Sequence, residues 1–66
     1  MKTLEEIIII VRNMDRELFE KINKADGDFR FALESRPRKN AKARLERALK
    51  KADLNLDEWL MWVYEY

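Results

Sequence analysis

Apolar positions recur every three or four residues over the first third of the chain. Leu4, Ile7, Ile8, Val11, Met14, Leu18, Phe19, Ile22 and Ala25 share one side of a helix at about 100° per residue, and charged side chains fill the other side. Thr3, three residues before Glu6, reads as a capping box, so the spacing predicts a helix over about 3–25. Glu17 with Lys21 and Glu20 with Lys24 stand in the favourable i, i+4 order. The β propensity of Ile7 to Val11 argues for a strand at 6–12 instead, but a period held over the whole stretch outweighs five residues. Ile9 on the polar side and Asp15 on the apolar side are the two misfits.

Gly27 is expected to end this helix in a left-handed turn. Beyond it Phe29, Phe31 and Leu33 alternate with Arg30, Ala32 and Glu34, the period of a half-buried strand, so 28–35 reads as extended or as a short helical segment. Pro37 suits the first position of a second helix, over 37–52, and it pushes Arg36 towards extended geometry. Ala41, Leu45, Ala48, Leu49 and Ala52 form a narrow apolar stripe along that helix. Asn55 with Glu58 caps a third helix, over 56–66, which is apolar nearly all round. The expectation is one small, mostly α domain over 1–66: a compact three-helix body.

Composition sharpens this in two ways. A chain of 66 residues buries about 60% of its unfolded surface, and this one has no Cys for disulfides and no His for a zinc site. Its large apolar load therefore calls for regular helix packing and for cover from a second copy or a protein partner. The absence of Gln, the single Gly and Pro and the 41% charged residues suit a thermostable protein or an idealised, designed one. The longest aliphatic run, Ile7 to Val11, is far short of the roughly 20 residues of a membrane span. Glu5 and Glu6 stand where a signal peptide is basic, and with no Cys a cytoplasmic location is the default expectation.

Charge is the most uneven property. Between Arg36 and Lys51, eight basic side chains (Arg36, Arg38, Lys39, Lys42, Arg44, Arg47, Lys50, Lys51) face one acid, Glu46, a net of +7 in a chain whose total is +1. A concentrated basic helix is the electrostatic footprint of a nucleic-acid binder, with DNA or RNA as partner. Arg44, Arg47 and Lys51 fall near one line, and Lys39, Lys42 and Lys50 on an adjoining side. The rival reading is a solvated face tied to acids of the first helix.

Catalysis finds no support in the residue types. His, Cys and a glycine-rich loop are absent, so the common nucleophiles, proton shuttles and phosphate cradles are missing, and no cofactor is expected. Asp26-Gly27-Asp28 is too short a match to a calcium loop, because Lys24 stands where a carboxylate is required. No metal is expected. The alternative to nucleic-acid binding is a protein–protein interaction module: an inhibitor, adaptor or designed scaffold. Its surface would comprise Ile9, Ile10, Trp59, Met61, Trp62, Tyr64 and Tyr66, since Trp and Tyr are favoured interface anchors.

Phe29-Arg30-Phe31-Ala32-Leu33, Pro37, Leu45, Leu49 and Leu54-Asn55-Leu56-Asp57-Glu58-Trp59-Leu60 together resemble the ribbon-helix-helix family of DNA-binding proteins. The resemblance covers residues 29–63 and implies a homodimer whose paired strands enter the major groove. It would place Arg30, Ala32 and Glu34 towards DNA, and Asn55 and Leu56 near a phosphate clamp.

Overall fold

Thr3 opens the first helix as its sequence requires. Its hydroxyl accepts from the Glu6 amide at 3.3 Å, and Glu6 Oε1 accepts from the Thr3 amide at 3.1 Å. The computed structural model describes residues 1–65 and holds four helices: α1 (Leu4–Arg12), α2 (Arg16–Phe31), α3 (Ser35–Lys51) and α4 (Leu56–Glu65). Residues 6–12 are helical, as their periodicity predicts over the rival strand, and the fold is mostly α, with four helices in place of three.

The long first helix is broken at 13–15. Asn13 closes α1, its amide donating to the Ile9 carbonyl at 3.1 Å, and Asp15 takes extended backbone ahead of α2. Asp15, the misfit of the apolar face, is thus the residue at which one helix gives way to another. The face itself survives the break: all nine residues assigned to it are buried or half-buried, and Ile9 is 59% exposed.

Gly27 does not end α2. Its φ is not positive, and the helix runs through it to Phe31. Phe29 explains why, since it lies one turn beyond Ala25 and packs against the same core. The alternation after Gly27 is not realised either. Phe29 is half-buried, whereas Phe31 and Leu33 are 80% and 101% exposed. Only the short link around Ala32 and Glu34 is extended. Likewise α3 begins at Ser35, two residues before Pro37, with Arg36 helical. Pro37 falls among the first four positions, whose amides have no intrahelical acceptor, so its missing N–H costs nothing there.

The left-handed turn that glycine was expected to supply occurs instead at Asp53, with φ 59°. There the Asp53 amide donates to the Lys50 carbonyl at 3.1 Å and the Leu54 amide to the Leu49 carbonyl at 3.0 Å. This is the paired bonding of a Schellman cap, and Leu49 and Leu54 supply its apolar contact. Asp is one of the few residue types that enter this region readily.

The core draws on every helix: Ile7 and Val11 from α1, Ile22 and Ala25 from α2, Leu45 and Leu49 from α3, and Trp59 from α4. Trp59 and Trp62 stack with centroids 5.1 Å apart, and Phe19 meets both edge-on. One buried carboxylate, Glu58, joins the start of α4 to the first residues of the chain. Its Oε1 accepts from the Asn55 amide at 2.9 Å and its Oε2 from the Lys2 amide at 2.8 Å, while Asn55 Oδ1 accepts from the Glu58 amide at 2.8 Å.

Two outcomes test this account. Gly27→Ala should raise stability by about 0.5–1 kcal/mol, because a Cβ there meets nothing within 4 Å and the helix interior gains a better former. A rise of several degrees in a thermal melt is the expected readout. The hydrogen bonds to Glu58 and to Glu6 hold both carboxyls below the ordinary 4.5. A depressed folded value gives stabilisation that is present above pH 4.5 and is lost as pH falls through the folded value. Glu58→Gln should therefore lower stability at neutral pH by roughly 1–2 kcal/mol and flatten the decline on the acid side.

Candidate nucleic-acid interface

The extended link at 32–34 is short enough to fold α2 and α3 into an antiparallel helical hairpin. Asp28 meets Arg44 at the link end of the pair, with Arg44 Nη2 3.3 Å from Asp28 Oδ2. One and two turns further back on α2, Lys24 and Lys21 share a groove with Arg47 and Lys51. Small side chains make this possible. Ala25 and Ala41 are buried and Ala48 half-buried, so the helices can approach closely along the seam.

The result is a groove of about 260 Å³ with a narrow floor at Ala25 and Ala48 and five cations around it: Lys21 and Lys24 from α2, and Arg44, Arg47 and Lys51 from α3. All five are exposed. Arg44 is paired with Asp28, an exposed pair of the kind that contributes little to stability. Among the described residues, Lys21, Lys24, Arg47 and Lys51 form no ion pair with a carboxylate. Glu20 pairs with Arg16 rather than with Lys24.

The other cations of α3 are not gathered here. Arg38, Lys39 and Lys42 border a separate hollow beside Phe29, with the Arg38 guanidinium 5.1 Å from that ring's centroid. Lys50 borders the region of Leu54 and Asn55, and Arg36 stands exposed in the first turn of α3. Arg30 points elsewhere. About half a helical turn round α2 from Lys21, it binds Asp26 at 2.9 Å and lies over the Tyr64 ring. The strand that would carry Arg30, Ala32 and Glu34 into a DNA groove is not present among the described residues, since α2 extends through Phe31.

Lys21 and Lys24 are the members that reading α3 alone does not find. The signal in the sequence is the i, i+3 spacing of two lysines on the polar side of α2, whose i, i+4 distance from Glu17 and Glu20 equally suits ion pairs along the helix.

The apolar candidates divide differently. Trp59 is fully buried, so it belongs to the core and is not available to a partner in this fold. Ile10, Met61 and Trp62 are half-buried against that core. Ile9 and Tyr64 are exposed, and Tyr66 lies outside the described residues. No helix is long and apolar enough to cross a membrane, and among the described residues no cluster of acids could hold a metal ion.

No family model matches the chain, and neither a curated protein nor a solved structure matches it.

Five like charges along one seam repel one another, so Arg47→Gln should raise stability slightly, by up to about 0.5 kcal/mol. Helix propensity is nearly equal for the two residues, so a thermal melt at low salt reads the electrostatic change, and added salt should erase it.

Proposed function

We propose that this chain is a small, non-enzymatic nucleic-acid-binding protein that holds a phosphate backbone in the groove between α2 and α3. The observation that carries the reading is the meeting of Lys21 and Lys24 with Arg44, Arg47 and Lys51 over an alanine floor, with one carboxylate, Asp28, bonded into the set. Cations from two helices aligned along one seam match the linear spacing of a polyanion better than scattered surface charge does. The floor lets a backbone come close, and the flexible ammonium and guanidinium groups can follow phosphates without reading base sequence. Arg38, Lys39, Lys42 and Lys50 add to the positive field of the same helix and would steer the approach of an anion.

Ile9 and Tyr64, both exposed, support a second reading as a protein–protein interaction module. It has less surface than the sequence offered, because Trp59 is in the core.

Binding of a labelled nucleic acid across a salt series tests the proposal. Five phosphate contacts give an expected slope of log affinity against log salt of about −4. Combined replacement of Arg44, Arg47 and Lys51 by Glu should abolish binding with helix content unchanged. Lys21→Glu with Lys24→Glu should weaken it comparably, whereas binding by α3 alone would leave that variant unaffected. Absence of binding at low salt overturns the reading.

A further inference from the structure

The basic groove leads at its link end to an uncovered aromatic ring. Lys24 and Arg44 border the groove, and the same two residues border a second hollow whose edge is formed by Phe31. Phe31 is 80% exposed at the last residue of α2, although burying a phenylalanine ring is favourable. Lys21, Lys24, Asp28 and Phe31 repeat at helical spacing, so ring and cations lie along one side of α2. Asn23, which also borders the second hollow, has an amide able to donate to and accept from a base edge.

We infer that the groove takes single-stranded nucleic acid, with Phe31 as the platform on which an unpaired base stacks. This rests on the proposed phosphate-binding role of the groove and adds the class of strand. A positively charged track with an aromatic ring beside it is the physical arrangement that favours unpaired strands, because every base has a π face and duplex bases are already stacked. Lys24 and Arg44 would hold the phosphates either side of the stacked nucleotide. Asp28, 3.3 Å from Arg44 Nη2, is the one carboxylate bordering this hollow.

The test is fluorescence anisotropy of labelled oligothymidylate, oligouridylate and a mixed-sequence duplex, with the intact chain and three variants. Phe31→Ala should weaken binding to at least one of the single strands by about tenfold and leave duplex affinity unchanged. Phe31→Tyr should restore the lost affinity. The two single-stranded arms tell DNA from RNA as the source of the bases. Because Phe31 is exposed, all Phe31 variants should melt with the wild-type chain. Arg47→Glu serves as the charge control and should weaken all three ligands. If Arg47→Glu abolishes binding but Phe31→Ala changes nothing, or lowers duplex and single-strand affinity equally, the stacking role is overturned while the phosphate groove stands. If the wild-type chain binds none of the three at low salt, both readings fall.

Discussion

Close approach of α2 and α3 is the constraint on which the rest of the molecule depends. Ala25 and Ala41 are buried along that seam, and Ala48 is half-buried in it. Side chains this small contribute little transfer energy of their own, but they let larger neighbours interlock: Ile22 on α2 with Leu45 and Leu49 on α3 are all fully buried. The same small residues leave a shallow floor at the outer edge of the seam. The cations that flank the stripe on each helix therefore face one another across that floor instead of pointing into separate regions of solvent. Core and candidate site are two sides of one packing arrangement.

Stability and charge are accordingly separated within a chain of 66 residues. The energetic load lies on the opposite side of the helical hairpin, where the stacked indoles of Trp59 and Trp62, the ring of Phe19 and the aliphatic groups of α1 close the core. Glu58 completes that side by taking the Lys2 and Asn55 amides, a satisfied carboxylate inside an otherwise apolar region. None of the five groove cations takes part in it. The groove can thus carry mutual repulsion, weak at physiological salt with a screening length of about 8 Å, without endangering the fold.

Much of the fold is legible from the order of residues, and the misses have specific causes. The stripe Ala41, Leu45, Ala48, Leu49 and Ala52 and the caps at Thr3 and Asn55 stand where their spacing puts them, because both depend on contacts three or four residues away. Gly27 misleads because glycine permits a left-handed turn without requiring one, and Phe29 gains more by continuing the helix into the core. Asp53 takes the turn because Leu54 must fold back onto Leu49, a demand set by packing. Asp15 is visible in the sequence as a misfit, but its meaning, a helix break, goes with the packing of α1 against α4, an element distant in sequence. The cations of α3 are plain in the composition. Their division into a groove set and an outer set is not, because that division is made by α2, a partner distant in sequence.

The identity of the residues opposite α3 bears most directly on what the basic helix is for. The chain carries 13 acids, enough to answer the net charge of α3, and a helix stabilised by its neighbour would meet carboxylates at the positions facing Arg47 and Lys51. Lys21 and Lys24 stand there instead. Acids are used at other places: Asp26 takes Arg30 on the far side of α2, and Glu20 takes Arg16 near its start. An arrangement that adds cations to cations along an open seam weakens the isolated chain slightly and is offset only when an anion occupies it. That asymmetry supports a ligand with regularly spaced negative charge. The exposed ring of Phe31 at the end of the track supports one whose bases are free to stack.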